Sequence, residues 1–267
     1  MEFLQKLVAI DLNYILIGLI VLFYSLEYFL ENQIRITNRT AHWGNNIVLG
    51  MVFVGLNFLW AYVVVFCVEW TNNRHIGLFY LIDIPYWLKL IVGVAMLDFV
   101  SYWFHRLGHI VPFLWRFHRI HHSDTKMDAS TNFRGHPIES FLWFGSSNIL
   151  AAAVFGLDLF ILGLYFFIVT PLFFLEHANL RFPKWLDRTV GLVFTTPNLH
   201  KIHHDQDQHY TDSNFADIFI LWDRIFGTFT YKPVEEIQPG LKEFDTDQQQ
   251  SFWYLLKAPF IKLNRQK

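Results

Sequence analysis

A chain of 267 residues that is 53% hydrophobic and 19% aromatic carries more apolar surface than a soluble domain of its size needs for a core. A formal net charge of −2, with charged residues at only 16%, gives nucleic acid no reason to bind. The single cysteine, Cys67, excludes an internal disulfide and any cysteine-built metal cluster, and its apolar surroundings mark it as a packing residue.

Five apolar stretches approach the roughly 20 residues a membrane-crossing helix needs: 12–30, 46–68, 86–104, 138–156 and 159–175. The first is too long for a signal-peptide core and lacks a small-residue cleavage site, so it reads as a retained helix. Without repeats, low-complexity tracts or linkers, the chain reads as one membrane-embedded unit. Its parts are an N-terminal transmembrane pair and loop (1–85), a central segment (86–230), and a polar loop with an interfacial end (231–267). In the first part Glu27 is expected to meet the interface or pair with Arg35 or Arg39, since near-terminal charges snorkel. His42 reads as an ordinary interfacial residue, and His75 falls on the far side of the membrane.

The third stretch carries Asp98, an intramembrane carboxylate and therefore a candidate functional group. It precedes His105 by two helical turns, so the spacing aims it toward the histidines that follow. There it would accept an imidazole N–H; the plainer reading is a hydrogen bond or ion pair to a neighbouring helix. His105 and His109 form an H-x3-H pair on one helix face. Pro112 permits a fresh helix start, and His118, His121 and His122 follow as H-x2-H-H. His136 then stands before Pro137, where a further ligand and a helix-entry residue are equally good readings. Glu139 and Glu176 stand at the two feet of the hairpin formed by the fourth and fifth stretches, placed to buffer metal charge or orient ligands. His177 directly follows that hairpin and is a candidate ligand.

The third box is His200, His203 and His204. Thr196 is expected to cap its helix and Pro197 to occupy the first turn. Asn198, inside that helix start, is counted as a supporting residue with Asp98, Glu139 and Glu176. His209 is a weaker ligand candidate. Phe215, Ile218, Phe219, Trp222, Ile225, Phe226 and Phe229 recur at helical spacing and predict an amphipathic interfacial helix. Residues 231–250 read as a polar surface loop, and 252–263, interrupted by Pro259, is too short to span.

Parity brings the boxes together. A hairpin returns the chain to the side it left, so the third box emerges beside the first two. Only Lys6, Arg74 and Lys89 among the basic residues fall on the other side, which places the boxes in the cytoplasm. The fold expectation is an all-α integral membrane protein of about five transmembrane helices, one pair a hairpin, with a cytoplasmic histidine-bearing helical cap. The membrane would be a bacterial inner membrane, or the endoplasmic reticulum in a eukaryote.

Eight of the thirteen histidines lie in the boxes, more than the three or four ligands one zinc needs, so two metals are expected. Imidazole suits iron, zinc or copper alike. At a membrane face such a centre is suited to oxidising a lipid that enters sideways. No glycine-rich flavin or nicotinamide signature is present, so electrons would come from a separate protein.

HRLGH, HRIHH, NFRGHPIE and HKIHH followed by YTDSNFADIFILWDRIFGTF together resemble the fatty acid hydroxylase superfamily, especially its bacterial sterol desaturase-like members, over roughly residues 90–230. The resemblance implies a di-iron, O2-dependent hydroxylase or desaturase of sterols, fatty acyl chains, sphingolipids, ether lipids or carotenoids, with 86–230 as its catalytic domain. It implies two iron ions held by the box histidines, no flavin or haem, and an electron donor of the ferredoxin or cytochrome b5 kind with its reductase. Box one is H-x3-H rather than the H-x4-H of the fatty acid 2-hydroxylase branch. Arg181 stands four residues after His177 where that branch has a second histidine. The HPGG signature of a fused cytochrome b5 domain is absent, since Ile138 and Glu139 follow His136 and Pro137. Two other readings remain: a membrane zinc hydrolase or lyase of lipids, and a non-catalytic metal-binding or transport protein.

Overall fold

The computed structural model describes residues 2–30 and 33–262, and among these every regular element is helical. Glu2–Val8 (α1) meets Leu12–Phe29 (α2) at a 74° bend. Arg39–Asn73 (α3) starts under the Asn38 side chain, which accepts from Ala41 N at 3.2 Å, and bends by 41° partway along. Tyr86–Ile110 (α4) stops one residue before Pro112, which opens Pro112–His122 (α5). A proline lacks the N–H that a continuing helix requires but suits a first turn, so the chain turns at Val111. Pro137–Phe155 (α6) and Leu159–His177 (α7) form the hairpin, and Pro197–His203 (α8) carries the third box.

Three of these helices, α4, α6 and α7, are long and apolar enough to cross a membrane, or up to five spans if each bent pair counts as one. The chain is an all-α integral membrane protein. Helix ends differ from the apolar stretches by a few residues, because backbone hydrogen bonding continues past the last apolar side chain. Thus α4 carries both histidines of box one. Leu90, Val94 and Leu97 of α4 pack on Ile161, Leu162 and Val169 of α7, while Phe58, Phe66 and Ile91 face outward. Outward-facing apolar residues of this size are what a lipid surround accommodates. At the hairpin turn Gly156 has φ 72°, and a Cβ on Gly77 would stand 2.1 Å from Gly156 N. The Asp158 carboxylate caps α7 through Ile161 N at 2.9 Å.

Several sequence expectations are corrected by buried carboxylates. Glu27 does not reach the interface: it is fully buried and its Oε1 accepts from Ala129 N at 2.9 Å and Asn179 N at 2.8 Å. Arg39 donates to the backbone carbonyl of Glu27, and its charge also acts on the carboxylate, so the expected pairing is electrostatic rather than a direct hydrogen bond. His42 is drawn into a polar network, with Nε2 3.3 Å from Asp124 Oδ2. Its neighbours there include Asn46, whose Oδ1 accepts from Arg134 Nη1 at 2.9 Å. The guanidinium and imidazole hold the Asp124 carboxyl well below the usual range despite complete burial.

Nor do residues 215–229 form one amphipathic helix; the helical part is Leu221–Ile225. The apolar periodicity is real, but two carboxylates claim the backbone. Asp223 accepts from Phe215 N at 2.8 Å and Ala216 N at 2.9 Å, and Asp98 accepts from Ile218 N and Phe219 N at 2.9 Å each. Those N–H groups are therefore unavailable to a helical ladder. The 231–250 stretch is also more than surface. Leu241 and Phe244 pack with Leu49, Trp115 and Ile120, and Gln250 Oε1 accepts from Arg134. The terminal apolar piece is a helix at Phe252–Lys257 and a turn at Ala258–Phe260; Leu263 lies outside the described residues.

Asp98 thus fastens the 218–222 segment to α4 through three donors, the third being Trp222 Nε1 at 2.9 Å. Asp98→Ala strands them all, so a loss of roughly 3 kcal/mol or more is expected. Thermal unfolding of detergent-solubilised protein reads this as a lowered Tm; an unchanged Tm would contradict the anchoring role.

Candidate metal centre

Nine imidazoles converge where α4, α5, α7 and α8 meet, in two groups. His105, His109, His118, His122 and His203 form one, and His121, His177, His200 and His204 the other, with the ligand atoms of each group within 4.8 Å of one another. The H-x2-H-H spacing divides each box between the groups. In α5, His118 and His122 face the first group and His121 the second. In α8, His203 faces the first, and His200 and His204 the second.

Outside acceptors fix the tautomers. His105 Nδ1 lies 2.7 Å from Phe215 O, His203 Nδ1 2.7 Å from Ser213 O, and His177 Nδ1 2.6 Å from Phe173 O. His118 Nδ1 lies 2.6 Å from Glu139 Oε1, and His109 Nδ1 3.1 Å from Asp212 Oδ1. A carbonyl or carboxylate can only accept, so each of these Nδ1 atoms carries the proton and each Nε2 presents a bare lone pair. Yet His203 Nε2 and His105 Nε2 are 2.9 Å apart, His122 and His118 3.1 Å, His177 and His121 3.1 Å, and His200 and His177 3.1 Å. For the His203–His105 pair neither nitrogen has a proton to share. Imidazole nitrogens about 2.1 Å from a common cation and at right angles would be about 3.0 Å apart. The donor set therefore fits two cations, one per group.

Electrostatics agree. Burial, followed by the neighbouring imidazoles, pushes His121, His122, His200 and His204 well below the usual histidine range, and burial holds His203 down to about 3. Neutral rings are the metal-binding form.

Of the ten sequence candidates for ligands, nine are in these groups and His136 is not. Its Nε2 is 3.2 Å from Leu256 O, and Nδ1 accepts from Ile138 N at 3.1 Å, which is the helix-entry role. His209 is exposed and belongs to neither group. Among the four supporting candidates, Glu139 touches an imidazole. Glu176 Oε2 lies 3.9 Å from His200 Nδ1, too far for a hydrogen bond, and both its oxygens lack partners among the described residues. Asp98 contacts no ring: its expected imidazole partner is replaced by the backbone of 218–219 and Trp222. Asn198 contacts none either, since its Nδ2 donates to Asp187 Oδ2 at 2.9 Å and thereby steadies the start of α8.

Sequence reading missed Asp212, which sits 103 residues from its histidine, and Trp143. The Trp143 ring stacks 4.9 Å from His118 at 28° and lies 6.0 Å from His105. The π-helical turn Ser140–Phe144 sets its direction, and Gly108 makes room, since a Cβ there would lie 2.0 Å from the indole. The H-R-L-G-H spacing held a clue in that glycine. A cavity of about 370 Å³ runs from His105, His118, His121, His177 and His200 into the bundle, walled by Phe53, Leu97, Phe166 and other apolar residues.

Residues 90–228 match the family model described as fatty acid hydroxylase. Over 170 residues the chain is 34% identical to alkylglycerol monooxygenase of Homo sapiens, covering 60% of this chain and 34% of that protein. It is 30% identical over 155 residues to the ornithine lipid hydroxylase OlsE of Rhizobium tropici, covering 56% and 44%. To the fatty acid hydroxylase vlmA of Lecanicillium sp it is 28% identical over 165 residues, covering 56% and 45%. The chain thus spans a third to under half the length of these relatives. No solved structure matches it.

An unfolded histidine takes up a proton below about 6.5, whereas His121, His122, His200, His203 and His204 stay neutral in the fold. The unfolded state then binds more protons, so the metal-free protein loses stability as pH falls from the ordinary value of 6.5 toward about 3. Melting of chelator-treated protein between about pH 7.5 and about pH 5 should show Tm falling on the acid side. A flat profile would contradict neutral rings.

Proposed function

Because this chain belongs to the fatty acid hydroxylase family, we propose that it is a membrane-bound di-iron oxygenase that hydroxylates or desaturates a C–H position of a lipid. The observation that carries this reading is the pair of imidazole groups, the ligand atoms of each within 4.8 Å of one another, at the mouth of a largely apolar cavity. His105, His109, His118, His122 and His203 would hold one iron, and His121, His177, His200 and His204 the other. Bound iron supplies reductive activation of O2, enough to break a C–H bond that no acid–base residue can ionise. Hydroxylation consumes O2, two electrons and two protons and releases water, and a separate ferredoxin- or cytochrome b5-like donor with its reductase would provide the electrons.

The protein's own part is positioning. Glu139 and Asp212 hold the His118 and His109 rings through their Nδ1–H groups, and both carboxylates offset cationic charge. Phe53, Leu97, Phe166 and Phe173 line the space for an apolar chain and keep water from it. Positive-inside counting places the centre on the cytoplasmic side of a bacterial inner membrane, or of the endoplasmic reticulum. The zinc hydrolase reading needs Asp98 or Glu176 as base beside a water. Asp98 is committed to three donors, whereas Glu176 has no hydrogen bond on either oxygen among the described residues, so the dependence of activity on O2 is what separates the two readings. A transporter would string ionisable groups through several spans; here they gather around one end of the bundle.

Cells expressing the protein under 18O2 should yield a lipid heavier by one labelled oxygen, or a lipid lighter by two hydrogens with O2 consumed. Purified protein should carry two irons per chain. His121→Ala and His203→Ala, one from each group, should each lose at least one metal equivalent and lower turnover by about 10²-fold or more. Full iron content and activity in both variants would sink the di-metal centre.

A further inference from the structure

Of the buried carboxylates near the metal centre, Glu176 does not line the cavity, and Asp98 and Asp223 have plain structural duties. Asp98 has both oxygens filled by backbone and indole N–H groups, and Asp223 likewise holds Phe215 N, Ala216 N and the Thr228 hydroxyl. Asp217 is different. It is 7% exposed and lines the cavity. Its two hydrogen bonds both fall on one oxygen, Oδ2, from Ser101 Oγ at 2.6 Å and Tyr165 Oη at 3.4 Å. Its Oδ1 takes no hydrogen bond among the described residues and is not sealed from the cavity. Neither hydroxyl turns toward Oδ1, so the pair fixes the carboxylate plane and leaves one acceptor outward.

The position matters as much as the empty lone pairs. Ser101 precedes His105 by one helical turn, an axial offset of about 6 Å. The acceptor is therefore beside the place where a C–H bond would be oxidised, not at the distant end of the cavity. Ser147 and Asn148 of α6 line the same space, whereas Phe53, Leu97 and Phe166 supply its apolar walls. A cavity built for a plain alkyl chain has no use for an outward carboxylate oxygen at membrane depth, where each unmet polar group is costly.

Resting on the oxygenase reading, we propose that Asp217, fixed by Ser101 and Tyr165, is a positioning residue that accepts a hydrogen bond from an O–H or N–H group of a polar lipid. The oxidised carbon then lies within about four bonds of that group, given the one-turn offset, and not in mid-chain. The substrate class is a lipid whose hydroxyl, amine or amide adjoins its apolar chain.

Two measurements test this. The first is binding to the purified, metal-loaded protein of 1-O-hexadecylglycerol, hexadecylamine, and the glycerol ether with both hydroxyls methylated. At least one donor-bearing probe should bind about tenfold or more tightly than the methylated one, as expected for a hydrogen bond to a charged acceptor. Asp217→Leu should abolish that preference while metal content is kept. Equal binding of all three probes to the wild type overturns the proposal whether or not the variant folds, and so does a preference that survives in Asp217→Leu. The second is the position of the 18O label in wild-type products. Label beside a hydroxyl, amine or amide supports the assignment, and label in a mid-chain methylene overturns it. Absence of any oxidised lipid would instead remove the oxygenase reading, while the binding comparison still decides whether Asp217 recognises a donor.

Discussion

The Nε2 atoms of His203 and His105, with lone pairs directed at one another 2.9 Å apart in a water-poor interior, repel until a cation lies between them. Such an arrangement persists only if the rest of the protein holds the rings in place. Here the restraint comes from behind. Phe215 O, Ser213 O, Phe173 O, Glu139 and Asp212 each take an Nδ1 proton, which fixes tautomer and ring direction together. Three of these five acceptors belong to the 212–215 stretch, so its path decides whether the first imidazole group exists.

That path is set by carboxylates. Asp223 and Asp98 capture four consecutive-region backbone N–H groups, two each, and prevent the 215–219 stretch from coiling into a helix. An irregular backbone can present carbonyls to histidines; a helix would consume them internally. The same logic recurs at Glu27, whose buried carboxylate ties residues 129 and 179 to α2, and at Asp124, which links α3 to the segment after box two. Membrane-spanning helices supply the frame, and charged side chains at one end lock the irregular pieces on top of it. Asp217 stands apart from these locks, because one of its oxygens is left facing the cavity.

Much of this was legible in the chain. Apolar runs of membrane-crossing length, the three boxes and the hairpin parity are local properties, and nine of ten proposed ligands meet in space. Helical spacing correctly put each box on one helix face, but the division of the two H-x2-H-H boxes between two groups depends on helix crossing. His136 carried the chemistry of a ligand with the location of a helix entry, and the fold turns its Nε2 to Leu256 O and leaves it outside both imidazole groups. The 215–229 periodicity misled for a different reason: a non-helical segment held by carboxylates can bury apolar residues at any spacing.

Composition and spacing alone determined the class of protein and that three histidine boxes would gather at one end of the bundle, because hydrophobic length and helical periodicity act over a few residues at a time. Tertiary structure decided which imidazole joins which group, which carboxylates are fasteners, and that Asp217 turns an acceptor into the cavity. Those outcomes hang on hydrogen bonds between residues separated by about a hundred positions, such as His105 with Phe215 and Asp98 with Ile218, and no local pattern encodes such pairings.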